Sequence, residues 1–192
     1  MTAFPSDMKV ARARAALLVV DVQERLFDVM PEEGKAQLIR NAGILIELAR
    51  RLDLPVVWSE QYPKGLGPTI APLAGPLGAM PDVLRLEKLE FGCTDAPGWP
   101  AIWDRLRRDQ WIVCGMESHV CVYQTVRGLA ERQAIVHVPA DAVVSRTAEN
   151  KQRGLALCER AGALVTSTEV VVFDALERAG SEDFKAMSRL VK

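Results

Sequence analysis

Trp111-Ile112-Val113-Cys114-Gly115-Met116-Glu117-Ser118-His119-Val120-Cys121-Val122-Tyr123-Gln124-Thr125 is the stretch that decides the fold. Its apolar start reads as a short buried strand. Gly115 reads as the turn out of that strand and Ser118 as a helix N-cap. Val122, Val126, Leu129 and Ala130 supply the apolar stripe of the helix that follows. Strand, tight turn and helix make the unit from which parallel α/β sheets are built. Cys121 then falls in the first helical turn. Unpaired N–H groups and the helix dipole stabilise a thiolate there, and can lower a cysteine pKa from ~8.5 to roughly 3.5–7.5. Two readings stand for Cys121 at this stage, an activated nucleophile and a packed core thiol.

Working outward, the same alternation recurs. Ala15-Ala16-Leu17-Leu18-Val19-Val20 is apolar without a break and stops at Asp21, the pattern of a strand buried on both faces. Residues 35–51 carry a helical stripe of Leu38, Ile39, Ala42, Leu45, Ile46 and Ala49, with Arg50 and Arg51 in the last turn. Pro55-Val56-Val57-Trp58 reads as a second strand and Val83–Lys88 as a third. A short helix is expected over 99–108, a fifth strand over 134–138, a helix over 147–161, a sixth strand over 163–165, and a helical tail from 168 broken near Gly180. Between the second and third strands, Pro63, Gly65, Gly67, Pro68, Pro72, Gly75, Pro76, Gly78 and Pro81 mark a long turn-rich loop, either a lid or a connector. Val170-Val171-Val172-Phe173 and Leu176 can pack a core or an interface.

Composition narrows the function. The 192 residues suit one domain spanning 1–192, and 49% hydrophobic with 26% charged residues is a globular balance. Basic residues number 24 and acidic ones 25, so no basic stripe points to nucleic acid or an anionic membrane. The apolar runs are far below the ~20 residues that span a bilayer. Residues 1–7 lack the charged and apolar regions of a secretory signal. The cysteines, Cys93, Cys114, Cys121 and Cys158, show no zinc-like spacing, which fits a cytoplasmic protein with reduced thiols. His119 and His137 are too isolated for a His-based metal site and read as surface or satisfied core residues.

In a parallel α/β sheet the ligand site lies at the carboxyl ends of the strands, by the switch point. Asp21, Lys88 and Cys121 all fall at or just beyond such ends. Asp21 can take the Cys121 proton and return it to a leaving amine. Lys88 can keep Asp21 ionised and stabilise the thiolate. Backbone N–H groups between Gly115 and Cys121 can form an oxyanion hole. Such a set suits acyl transfer through a thioester.

These residues resemble the isochorismatase-like cysteine hydrolase superfamily, which includes the nicotinamidases. Leu18-Val19-Val20-Asp21-Val22-Gln23, Lys88-Leu89-Glu90-Phe91, Gly115-Met116-Glu117-Ser118-His119-Val120-Cys121-Val122 and Val138-Pro139-Ala140-Asp141-Ala142 carry the likeness, in order, over about residues 14–178. Gln61-Tyr62-Pro63-Lys64-Gly65-Leu66-Gly67 and Gln124-Thr125 look closest to the isochorismatase-domain-containing branch. The resemblance implies a three-layer α/β/α, Rossmann-like fold with a six-stranded parallel sheet of order 3-2-1-4-5-6. It implies Cys121 as nucleophile, Asp21 as base and Lys88 as the third member. It also implies a cis peptide at Met116–Glu117, with the Glu117 and Cys121 N–H groups facing the oxyanion. Gln23, Glu60, Gln61 and Tyr62 are expected at the substrate.

Two departures matter. Where nicotinamidases carry an Asp-x-His metal motif, this chain reads Trp58-Ser59-Glu60-Gln61-Tyr62, so neither a metal nor a cofactor is expected. Gly92-Cys93 stands where the family often has Ser and a small or apolar residue, which brings Cys93 close to the site as a wall residue or a resolving thiol. The expected function is hydrolysis of a C–N bond in a small amide by a homo-oligomer. The alternatives are isochorismatase-type vinyl-ether hydrolysis, thiol-based redox sensing, and a catalytically idle member of the fold.

Overall fold

The computed structural model describes residues 8–192; the reading of residues 1–7 as no secretory signal lies outside them. In chain order the elements are β1 (Ala15–Val20), α1 (Glu24–Asp28), α2 (Glu32–Leu52), β2 (Val56–Gln61), α3 (Pro63–Leu66), α4 (Ala71–Gly78), β3 (Leu84–Lys88), α5 (Trp99–Leu106), β4 (Gln110–Met116), α6 (Tyr123–Glu131), β5 (Ile135–Pro139), β6 (Val143–Val144), α7 (Ala148–Arg160), β7 (Leu164–Thr166), α8 (Thr168–Leu176) and α9 (Glu182–Leu190). Among the described residues the named strands all pair in parallel, in the order β3-β2-β1-β4-β5-β7. The short β6 pairs with β4 off this path, so the long strands follow the expected 3-2-1-4-5-6.

The unbroken apolar run of β1 has a simple cause. Ala15, Leu17 and Val19 pack into one core cluster and Ala16, Leu18 and Val20 into another, on opposite faces of the sheet. The first cluster is closed by α2, α4, α8 and α9 through residues such as Leu45, Leu73, Val171 and Met187. The second is closed by α5, α6 and α7 through Trp99, Val126 and Cys158. Each fully buried leucine here contributes about 1.5–3 kcal/mol. Among the described residues no helix is long and apolar enough to cross a membrane.

Four sequence expectations need correction. The turn-rich segment after β2 holds α3 and α4, which begin with prolines at helix-start positions. Proline suits that position because its missing N–H would be unpaired there anyway. Leu73 and Leu77 of α4 are buried in the core, so this part is fastened to the body. Gly115 does not end its strand. At φ +121 it stays in β4, and a Cβ there would lie 2.1 Å from the Val20 carbonyl oxygen, so only glycine lets β1 and β4 approach. Ser118 does not cap α6. It lies in one π-helical turn, Ser118–Val122, that precedes the helix, and its hydroxyl meets that of Ser145. His137 is buried in β5, so it is a core residue and not a surface one, and its Nε2 has no protein partner.

Candidate active site

The sheet order reverses between β1 and β4, and the strand register brings the polar residues together at that point. Val20 pairs with Gly115 on one side and Ser59 on the other, which sets Asp21 just beyond both. Gln61 pairs with Lys88. Asp21 and Tyr62 leave their strands in the left-handed region, at φ 48 and φ 39. Such positions cost about 1–3 kcal/mol each and recur where surrounding structure enforces a functional geometry.

Asp21, Lys88 and Cys121 converge, and all three are buried. Lys88 Nζ donates to Asp21 Oδ2 at 2.5 Å and to the carbonyls of Glu90 and Phe91 at 3.1 Å each. Asp21 Oδ1 accepts from Ser59 Oγ at 2.7 Å, and Ser59 Oγ in turn accepts from Cys93 Sγ at 3.4 Å. The Cys121 thiol donates to Gln61 Oε1 at 3.1 Å. Burial pulls the Lys88 ammonium down, but the Asp21 carboxylate and the two nearby sulfurs outweigh it and hold Lys88 above its ordinary value.

Cys121 goes the other way from the sequence expectation. Burial first, then the Asp21 carboxylate, push its thiol well above the ordinary cysteine value, and Lys88 only partly opposes them. Cys121 sits inside the π-helical turn within the core, so desolvation outweighs the helix-end effect. Burial likewise raises Cys93 to about 11 and Cys114 and Cys158 to about 12.

The turn carrying Cys121 is held from several sides. The Met116–Glu117 peptide is cis. The Glu117 carbonyl accepts from the N–H groups of Val120 and Val122. Its carboxylate accepts from Arg146 N at 3.1 Å and Arg146 Nε at 3.0 Å. His119 Nδ1 meets Ser145 Oγ at 3.1 Å. From α7, Gly154 approaches so closely that a Cβ would lie 2.5 Å from the Ser118 carbonyl carbon. A π-helical turn of this kind commonly marks a functional site.

The four residues expected at the substrate have different surroundings. Gln23 is buried and braces β2: its Nε2 donates to the carbonyls of Gln61 and Gly67, and its Oε1 accepts from Gln61 N at 2.7 Å. The Glu60 carboxylate is taken up by Thr69 N, Thr69 Oγ1 and Arg85. Burial raises its pKa, but Arg85 and Thr69 outweigh that and hold it low. Of the four, Gln61 is the residue that hydrogen-bonds Cys121. Tyr62 is exposed and, with Leu89, Glu90 and Gly98, lines an open cleft of about 490 Å³ beside Lys88. Cys93 lies at the site, as expected. Ser59 carries no motif of its own, and its register with Val20, next to Asp21, is what brings it to the site.

The chain has clear relatives. The family model described as "Isochorismatase domain" matches residues 15–170. A protein named secreted isochorismatase effector Isc1, from Phytophthora sojae, is 32% identical over 93% of this chain and 84% of its own length. Isochorismatase domain-containing protein 2 of Bos taurus is 31% identical over 98% of this chain and 88% of its own. Among solved structures, the MAR1 ribonuclease of Caenorhabditis elegans matches with a TM-score of 0.87 at 31% identity, covering 95% of this chain and 92% of that one. The YcaC gene product of Escherichia coli, an octameric hydrolase of unknown specificity, shares the fold with a TM-score of 0.86 at 18% identity, covering 99% of this chain and 92% of that one. The chain belongs to the isochorismatase family, in the branch of isochorismatase domain-containing protein 2, and has that family's hydrolase fold.

Proposed function

We propose that this chain hydrolyses the C–N bond of a small amide through a thioester on Cys121. The observation that carries the reading is the buried Lys88–Asp21 ion pair, 2.5 Å long, held beside a buried cysteine at the carboxyl edge of the sheet. Burying two charges is costly unless they are paired, so such a pair beside a nucleophile points to chemistry more than to stability.

Cys121 Sγ attacks the amide carbonyl carbon as its thiol proton passes to Asp21. The N–H groups of Glu117 and Cys121 stabilise the tetrahedral oxyanion. Collapse breaks the C–N bond, and Asp21 gives its proton to the departing amine. Water then attacks the thioester, Asp21 takes a proton from it, and that proton returns to the sulfur as the acid leaves. The resting thiol stays protonated, so activation comes when substrate displaces water and Asp21 accepts the proton. Lys88 supplies the counter-charge that keeps Asp21 in place throughout.

The raised thiols weigh against peroxide sensing, because oxidation to sulfenic acid proceeds from the thiolate. A second reading, vinyl-ether hydrolysis, has support from the relative named an isochorismatase effector. The nucleophilic cysteine weighs against it. The reaction is assigned to the cytoplasm and to a homo-oligomer; four unpaired cysteines suit a reducing compartment, and the octameric fold relative suits assembly. The test is a panel of small amides read by ammonia release, with isochorismate read by pyruvate release. Amide turnover lost in Cys121→Ser supports the proposal. Pyruvate release that survives Cys121→Ser overturns it.

A further inference from the structure

We propose that Gln61 is the specificity-determining residue of this site, and that its Oε1 accepts a hydrogen bond from the N–H of the scissile amide, selecting amides over esters. The inference rests on the reading of Cys121 as the nucleophile and adds what that nucleophile selects.

The side chain is built to present only an acceptor. Gln61 Nε2 donates to the Leu89 carbonyl at 3.1 Å. A carbonyl only accepts, so the nitrogen must face it and Oε1 must face the sulfur. The backbone is fixed as firmly. Gln23 accepts from the Gln61 N–H at 2.7 Å and donates to its carbonyl at 3.0 Å. The residue is buried, and its Oε1 takes the Cys121 thiol at 3.1 Å.

Attack removes that donor. When the thiol proton moves to Asp21, Gln61 Oε1 becomes a buried acceptor without a partner. Leaving such a group unpaired is costly. An amide N–H bound against the sulfur restores the bond, and an ester oxygen cannot. The exchange of donors is therefore worth most as the C–S bond forms, where it discriminates between substrates.

The test uses alkylating probes on the intact protein. Iodoacetamide and methyl iodoacetate react alike: the sulfur displaces iodide, a C–S bond forms, the C–I bond breaks, and the thiol proton passes to Asp21. They differ in that one carries N–H donors and the other does not. Rates at the Cys121 peptide are read by mass spectrometry and divided by each reagent's rate with free glutathione. The inference expects a preference of roughly tenfold or more for iodoacetamide. It expects that preference to vanish in Gln61→Met, which keeps the length of the side chain but has no acceptor oxygen. Equal normalised rates in the wild-type protein, or a preference that survives Gln61→Met, overturn it and leave the nucleophile reading standing. If neither reagent labels Cys121, this inference falls, and the nucleophile reading is decided separately by the loss of amide turnover in Cys121→Ser.

Discussion

Lys88→Met replaces a buried ammonium by an apolar chain of similar length, and its cost can be worked out. The Lys88 and Asp21 side chains are both 0% exposed, so water cannot take over the role of the lost partner. Removing one member of a buried pair costs about 3–5 kcal/mol. With unfolding entropy near 2.1 cal/mol/K per residue, 192 residues give roughly 0.4 kcal/mol/K, so the midpoint should fall by about 7–12 °C. Urea unfolding followed by the fluorescence of the four tryptophans measures the loss. The double variant Asp21→Asn/Lys88→Met removes the orphaned charge but still leaves the Glu90 and Phe91 carbonyls without their lysine donor. It should therefore recover only part of the loss, about 2 kcal/mol. A loss under about 1 kcal/mol in Lys88→Met, or a double variant as unstable as the single one, would refute the argument.

Two further outcomes follow from the packing. Burial holds His137 down to about 4, against the opposing Asp174 carboxylate, while the unfolded chain keeps it near 6.5. Between those values the unfolded state binds the extra proton, so stability is lost as pH falls through this window, by about 2–3 kcal/mol between pH 7.5 and 4.5. Urea titrations should show this part of the loss missing in His137→Leu; equal losses in both proteins would count against it. Gly154→Ala puts a methyl 2.5–2.7 Å from the backbone of Ser118 and His119, so it should cost about 1–3 kcal/mol and slow alkylation of Cys121. Gly43→Ala, with nothing within 4 Å, serves as the control and should be neutral or stabilising by roughly 0.5–1 kcal/mol.

The buried strands were legible because a sheet covered on both faces needs apolar residues at consecutive positions, as in 15–20 and 111–114. The same rule hid the end of β2. Ser59, Glu60 and Gln61 are polar, yet they continue the strand because each is buried with hydrogen-bond partners that no local pattern announces. Prolines 63 and 72 look like marks of a turn-rich loop in the sequence, yet they sit in the first turns of helices. Asp21, Lys88 and Cys121 could be found because strand ends are predictable from where apolar runs stop. The protonation of Cys121 could not. It depends on how deeply the π-helical turn is buried and on Asp21, 100 positions earlier in the sequence, and both are properties of tertiary packing. Arg146, Ser145 and Gly154, which hold that turn, lie on β6–α7 and carry no motif of their own.

The measurement that bears most directly on the central claim is acid-quenched mass spectrometry of the protein during turnover of an amide found by ammonia release. The account predicts an acyl mass on the Cys121 peptide, removed by hydroxylamine and missing from Cys121→Ser, which should also release no ammonia. Ammonia release that continues in Cys121→Ser, with no acyl mass on the wild-type Cys121 peptide, would contradict it.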